Sequence, residues 1–286
     1  MILNTKHISP LRYPGGKAKL LRYISQIISV NNLGGGLYVE PFAGGASIAL
    51  GLLLNEVMEK VIINDKDRSI YAFWYALLHK TEEFCSLIEN TPITIAIWEE
   101  QKNIQKNKDN EDLLTLGFST FFLNRTNRSG ILNAGVIGGI NQTGQYKIDV
   151  RFNKGELISR IRRISDLRDK IEVLNEDAVD LLTSRDWCSF DKKVFIYLDP
   201  PYYIKGKNLY LNYYRDNDHK EIANILCKSD GFKWVVSYDS VNFIENLYKN
   251  FRCSKFQLNY SANNSGKGNE IIFYSNDLII PKSAII

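Results

Sequence analysis

The residues best suited to chemistry sit at the end of an apolar run. Val194, Phe195, Ile196, Tyr197 and Leu198 lead into Asp199, Pro200, Pro201, Tyr202 and Tyr203. The run reads as a buried parallel strand. The prolines cannot donate to a sheet ladder, so the strand stops at Asp199. A carboxylate at the C-terminal end of such a strand lies where open α/β sheets keep their ligands. Taken alone, the stretch also reads as a strand end followed by a Pro-rich turn.

Three other groups could serve the same ligand. Pro14-Gly15-Gly16-Lys17 opens a helical pattern with Leu20, Leu21, Ile24, Ile27 and Ile28 on one face. Amides at such a helix start, with Lys17 beside them, can hold a carboxylate or phosphate; the other reading is a helix entry with an exposed lysine. Lys17 is followed by Ala18 and lacks the upstream glycine, so this is not a Walker P-loop. The second group is Glu40-Pro41-Phe42-Ala43-Gly44-Gly45, between a short strand over 37–40 and an apolar helix from Ile48 to Leu54. Glycines there let a ligand approach the backbone, although the spacing is not the Gly-x-Gly-x-x-Gly of dinucleotide enzymes. The third is Asp65, at the end of a strand over 61–63 and about twenty residues past that loop, the place of a ribose-binding acid. Acids at strand ends also cap helices, and Asp67 is the better candidate for that role.

The elements that must position these residues alternate as strand and helix, with one interruption. From Ser69 the pattern is helical, through Phe73, Trp74, Leu77 and Leu78 and then around Phe84, Leu87 and Ile88. A polar stretch over Gln101–Asp112 precedes an apolar helix from Leu113 to Leu123. Asn124, Arg125, Asn127 and Arg128 then open a Gly- and Asn-rich loop, and Gln145–Phe152 alternates enough to suggest a short strand or hairpin arm. Between Arg151 and Lys170 stand seven Lys or Arg against three Asp or Glu. Such a basic helix is either a solvated face or part of a phosphate-contacting surface. Strands resume at 171–174, 194–198 and 232–237, and a hairpin at 255–260 and 270–274 closes the chain with an antiparallel strand. Its loop, 261–268, either brings Lys267 to a phosphate or only closes the hairpin.

Composition narrows the class. Of the 286 residues 44% are hydrophobic and 24% charged, which is ordinary globular composition. A net charge of +4 permits a nucleic-acid partner without demanding one. Cys85, Cys188, Cys227 and Cys253 are scattered, as are His7, His79 and His219, so neither a zinc site nor a disulfide framework is expected. No apolar segment of signal or membrane length follows Met1, and the chain is read as soluble and cytoplasmic.

Taken together, Arg12-Tyr13-Pro14-Gly15-Gly16-Lys17, Tyr38 to Gly45, Ile63-Asn64-Asp65, Leu123-Asn124-Arg125 and Asp199-Pro200-Pro201-Tyr202 resemble the Dam-type (D12 class) adenine-specific DNA methyltransferases. In those enzymes the glycine motif comes first, a target-recognition region next and the Asp-Pro-Pro-Tyr motif last. The resemblance implies an α/β, Rossmann-like methyltransferase fold with a mostly parallel seven-stranded sheet and an antiparallel C-terminal hairpin. It places the methyltransferase domain at 1–70 and 156–286 and an inserted helical target-recognition domain at 71–155. The implied cofactor is S-adenosylmethionine, contacted by Tyr13, Lys17, Asp65 and Asp199, with Glu40, Phe42 and Gly44 in the loop near its methionine part and Asp177 at its adenine ring. Asn124, Arg125, Asn127, Arg128 and Lys267 would meet double-stranded DNA, and Asp199, Pro200 and Tyr202 would carry catalysis. Tyr13 stands where the family commonly has tryptophan, and the 131–144 loop does not follow the pattern of Gly-Ala-Thr-Cyt readers. No metal is required, and a cognate restriction endonuclease would act separately.

The implied chemistry explains the residue types. An adenine amine is a poor nucleophile, because its lone pair is delocalised into the ring. The Asp199 carboxylate and the Pro200 carbonyl, accepting its N–H bonds, would return density to the nitrogen. The base must leave the duplex, and Tyr202 offers a stacking face. Rival readings are the same chemistry on cytosine N4 or on an RNA adenine, and a non-catalytic DNA-binding protein on a decayed scaffold. The intact Asp199 and Tyr202 oppose the second, and the glycine spacing opposes a dinucleotide oxidoreductase.

Overall fold

The computed structural model describes residues 8–12, 17–190, 193–203, 214–229, 231–259 and 267–282. Seven strands form one sheet: β1 (Leu37–Glu40), β2 (Lys60–Asn64), β3 (Ile171–Leu174), β4 (Val194–Leu198), β5 (Lys233–Asp239), β6 (Arg252–Asn259) and β7 (Lys267–Tyr274). Their order is β3-β2-β1-β4-β5-β7-β6. β1 runs parallel to β2 and β4, and β4 is parallel to β5. β7 pairs antiparallel with both β5 and β6, so the expected C-terminal hairpin is present. The fold is Rossmann-like. Every residue of β1 and β4 is buried, as in a parallel sheet covered on both faces, which is why β4 reads as an unbroken apolar run.

The chain leaves β1 toward β2 on one side and later returns to β4 on the other. The order therefore reverses between β1 and β4, and the strand ends there open the crevice that α/β folds use for ligands. Register puts Val39 opposite both Ile62 and Ile196, so Glu40, Asn64 and Asp199 all emerge at the same edge.

Two compact units divide the chain, one made of Lys17–Asp65 and Glu176–Ile286, the other of Lys66–Asn175 with residues 8–12. The first carries α1 (Leu21–Val30), entered through a 3-10 turn at Lys17–Leu20, and α2 (Ser47–Leu54). It also holds α8 (Ala178–Ser184), α9 (Asp216–Lys228) and α10 (Asn242–Leu247). α2 is apolar around nearly its whole circumference and is almost entirely buried. The α1 face foreseen from its periodicity is buried, and the Tyr23 hydroxyl meets that of Tyr274 on β7 at 2.8 Å.

The second unit holds α3 (Arg68–His79), α4 (Thr81–Asn90), α5 (Ile95–Lys106), α6 (Leu113–Thr126) and α7 (Lys154–Ser165). Its core is aromatic, with Phe73 stacked on Phe121 and Phe152 edge-on to Phe121. α7 belongs with these helices, although an insert ending at 155 was expected. Its buried Leu157, Ile161 and Ile164 face inward, and Ser165 and Thr81 share a hydrogen bond of 2.7 Å. Gly117 of α6 lies so close to α3 that a Cβ there would meet the Ala72 carbonyl at 2.5 Å. Gln145–Phe152, expected as a strand or hairpin arm, forms turns instead. Its alternation has a local cause, since Ile148 and Phe152 turn into the helical core while Val150 stays exposed. Among the described residues no helix is long and apolar enough to cross a membrane.

Glu40, at the end of β1, couples the sheet to α2. Its Oε1 accepts from the Tyr38 hydroxyl at 2.9 Å and from the Ala49 amide at 3.0 Å. Burial pushes its carboxyl up from 4.5 to about 8, with those two hydrogen bonds opposing the shift and Asp199 adding to it. The native state thus holds this proton more tightly than the unfolded chain, and the stability it contributes is complete below about 4.5 and lost as pH rises toward about 8. We expect Glu40→Gln to flatten that decline. Denaturation midpoints measured from pH 5 to pH 9 should show the variant gaining on the parent as pH rises, and a parallel pair of curves would refute the assignment.

Candidate active site

Asp199 follows β4 directly and is held by one oxygen. Its Oδ1 accepts from Ser237 Oγ at 2.8 Å and lies 3.3 Å from Lys17 Nζ. Among the described residues Oδ2 makes no hydrogen bond, and the side chain is 26% exposed. Ser237 is placed by register, since Leu198 stands opposite Val236 and the next residue of β5 therefore stands beside Asp199. The Ser237 hydroxyl in turn meets that of Tyr197 at 2.8 Å. Burial pushes the Asp199 carboxyl above its ordinary value, with Lys17 opposing and Glu270 reinforcing the shift.

Lys17 ties three segments together. It donates to Glu270 Oε2 at 2.8 Å and to the Tyr202 hydroxyl, and it pairs with Asp199. The Tyr202 hydroxyl donates to Glu270 Oε1. Burial alone would lower the pKa of the ammonium, but the two carboxylates outweigh it and hold the group above its ordinary value. One cation thus faces two carboxylates, and the cluster favours a further positive charge beside it. Pro200 is buried, and the Tyr202 ring is only 7% exposed.

The glycine loop is braced from the end of β2. Gly44 N donates to Asp65 Oδ2 at 2.9 Å, and Ala43 N donates to the Asn64 carbonyl at 2.8 Å. The buried Asn64 side chain donates to the carbonyls of Pro41 and Glu176 and accepts from Glu176 N. Gly44 and Ala46 sit in the left-handed region, with φ of 47° and 46°. Glycine adopts that conformation freely, whereas Ala46 is strained and needs its surroundings to hold it. Asp177 caps α8 through Val179 N at 2.9 Å. The Phe42 ring meets the Tyr214 ring edge-on at 5.5 Å, and Tyr214 lies within electrostatic reach of Asp177 and Asp65. Phe42, Asp65, Asp177 and Tyr214 therefore surround one region at the strand ends.

Of the residues foreseen from sequence, Lys17, Glu40, Phe42, Gly44, Asp65, Asp177, Asp199, Pro200 and Tyr202 all lie in the first unit, at this edge of the sheet. Tyr13 lies outside the described residues. So does the 260–266 segment of the hairpin loop, while Lys267 opens β7 opposite Asn259. Sequence reasoning missed Glu270, Ser237, Asn64 and Tyr214. Glu270 left one trace, an acid heading the apolar run Ile271 to Tyr274.

In the second unit, Asn124 and Asn127 are 2% and 0% exposed. Asn124 accepts from Arg12 N at 2.7 Å and donates to the carbonyls of Arg12 and Gly130. Asn127 accepts from Trp98 Nε1 and donates to the carbonyls of Ile131 and Leu132. Both were expected at DNA, yet here they brace the loop from within. Arg128 is exposed. Arg125 donates to the carbonyls of Arg151 and Pro10, and its guanidinium is lowered to about 10 by burial and by the like charges of Arg12, Arg160 and Arg151. Four arginines gather here, with Glu156 as a nearby opposing charge. Among the described residues no group of three or more His, Cys, Asp or Glu could hold a metal ion.

Comparison with known proteins adds to this geometry. Residues 13–262 match the family of D12 class N6 adenine-specific DNA methyltransferases. The type II methyltransferase M.MjaIII of Methanocaldococcus jannaschii is 25% identical over 268 residues, covering 86% of this chain and 89% of that protein. Among solved structures, PH1948 of Pyrococcus horikoshii, described as a candidate RNA methyltransferase, is 11% identical with a TM-score of 0.41, over 93% of this chain and 88% of that one. The rRNA methyltransferase aviRa of Streptomyces viridochromogenes is 10% identical with a TM-score of 0.31, over 90% and 85%. With the family match spanning most of its length, the chain belongs to the D12 class of N6 adenine-specific DNA methyltransferases.

Proposed function

We propose that this chain binds S-adenosylmethionine and methylates the 6-amino group of an adenine flipped out of a specific double-stranded DNA sequence. The observation that carries this reading is Asp199, at the switch point of the sheet, whose Oδ1 is fixed by Ser237 and Lys17 while Oδ2 makes no hydrogen bond among the described residues. A carboxylate oriented in this way accepts an N–H bond from an entering planar amine, and the Pro200 carbonyl accepts the second. The amine need not lose a proton first, because it becomes acidic only after methyl transfer. Asp199 is then the adjacent base.

The residues present fit the cofactor. Bound there, it supplies an electrophilic methyl on a sulfonium. The glycine loop offers backbone that a ligand can approach, Asp65 braces it and faces the expected ribose position, and Phe42 and Tyr214 offer ring surface near Asp177. The surplus carboxylate at Lys17 favours both a cationic cofactor and the positive charge that develops on the amine. Much of the remaining acceleration comes from alignment.

Flipping an adenine costs a few kcal/mol, and stacking on an aromatic such as Tyr202 offsets about 1–3 kcal/mol of it. The second unit supplies the DNA contacts in this reading. Arg125 and Arg128 contact DNA, Arg12, Arg151 and Arg160 serve the phosphates, and Asn124 and Asn127 keep the loop in shape. The type II designation of M.MjaIII supports a role beside a separate restriction endonuclease.

Two outcomes follow. Asp199→Ala should abolish methyl transfer from labelled S-adenosylmethionine to duplex DNA while cofactor binding weakens far less, and full activity would end the mechanism. Arg151→Ala, at an exposed arginine, should weaken binding to all duplex sequences alike and reduce the slope of log K against log salt by about 0.9. A changed sequence preference would instead place Arg151 in base readout.

A further inference from the structure

Glu270 is a buried acid whose contacts point to more than a surplus negative charge beside Lys17. It is 1% exposed and lies on β7, where register sets it opposite Asp239 of β5 at the edge that carries Asp199. Both of its oxygens are engaged, Oε2 by Lys17 at 2.8 Å and Oε1 by the Tyr202 hydroxyl. Lys17 stands closer to Glu270 than to Asp199, 2.8 Å against 3.3 Å. Burying an acid here incurs a desolvation cost, and a lysine paired with Asp199 alone would satisfy local charge more simply. Such a pair would have a drawback, however. A full ammonium drawn onto Asp199 would claim the electron density that the carboxylate must lend to the target amine.

We propose that Glu270 is a positioning residue for methyl transfer, holding the Lys17 ammonium and the Tyr202 hydroxyl on itself so that Asp199 keeps Oδ2 as an acceptor for the adenine amine. The division of labour follows from the contacts. Ser237 and the longer Lys17 contact orient Oδ1, and Glu270 takes the shorter contact. The same carboxylate fixes Tyr202, whose ring flanks the proposed base position and lies with Lys17 Nζ 4.7 Å from its centroid. This inference rests on the reading of Asp199 given above.

The groups facing Asp199 are Lys17 from the 3-10 turn, Glu270 from β7, Glu40 and Tyr38 from β1, Tyr197 from its own strand, and Ser237 and Tyr238 from β5. Of these, Glu40 keeps its proton at neutral pH, and the negative charge of Glu270 raises the Asp199 pKa. Removing the Glu270 charge therefore lowers it.

The test is single-turnover methylation of duplex DNA by the full chain across pH, with labelled S-adenosylmethionine. Glu270→Gln keeps the shape and removes the charge. It should cut the rate at least about tenfold, change cofactor affinity less than about threefold, and move the acid limb of the rate profile to lower pH. Glu270→Asp should leave that limb in place. A Glu270→Gln rate within about twofold of the parent, or a lower rate with an unmoved limb, overturns the proposal, because lost packing alone does not shift a titration. Should Glu270→Gln fail to fold, Lys17→Met/Glu270→Gln against Lys17→Met carries the test. With the ammonium gone, the second change should cost less than about threefold, and a full tenfold loss would show Glu270 acting independently of Lys17. An inactive parent would end the underlying reading together with this one, whereas an active parent with unmoved variants ends this one alone.

Discussion

A buried ammonium sits between two carboxylates contributed by distant parts of the chain. Lys17 enters from the turn before α1, Asp199 from the end of β4, and Glu270 from the antiparallel β7. Removing the ammonium from such a cluster leaves two carboxylates uncompensated in a poorly solvated place, at a cost of about 3–5 kcal/mol. The site therefore cannot form until the first turn, the central strand and the C-terminal hairpin have all come together. The hydroxyl pair of Tyr23 and Tyr274 repeats the tie between α1 and β7 nearby.

The fold supplies the rest through strand ends. Reversal of strand order between β1 and β4 opens the crevice, and register alone brings Ser237 beside Asp199 and Glu270 to the same edge. Asn64 and Asp65 then hold the glycine loop from the neighbouring strand, so the proposed cofactor side and amine side of the crevice are built on one sheet. The helical unit is a separate aromatic core that carries the arginines. Methyl transfer needs alignment within a fraction of an ångström, and DNA recognition needs a surface that varies between enzymes. In the proposed function the first is built on strand ends and the second on helices and loops, which serves both needs.

What could be read from sequence was whatever is local. The unbroken apolar run of β4, the prolines that stop it, the cap at Asp67 and the face of α1 each follow from residues within one element. Their order along the chain carried the family resemblance. Glu270 could not be read this way, because its partner Lys17 is 253 residues away and nothing in its neighbourhood distinguishes it from a strand-end acid. Ser237 looked like an ordinary strand hydroxyl. Asn124 and Asn127 show the opposite failure. Short amides in a polar loop suggest exposure, but an amide both donates and accepts, and here each substitutes for missing backbone pairing. Gln145–Phe152 misled through alternation, which has the same appearance whether its apolar residues enter a sheet or a helical core.

In the proposed function Asp199 and Pro200 activate the exocyclic amine of adenine in DNA. The most direct measurement is to incubate the chain with methyl-labelled S-adenosylmethionine and a duplex of mixed sequence, digest the product to nucleosides and identify the labelled one. Label in N6-methyladenine, mapping to one recurring sequence, is the predicted result. Label in N4-methylcytosine, or transfer to RNA with none to the duplex, would contradict it.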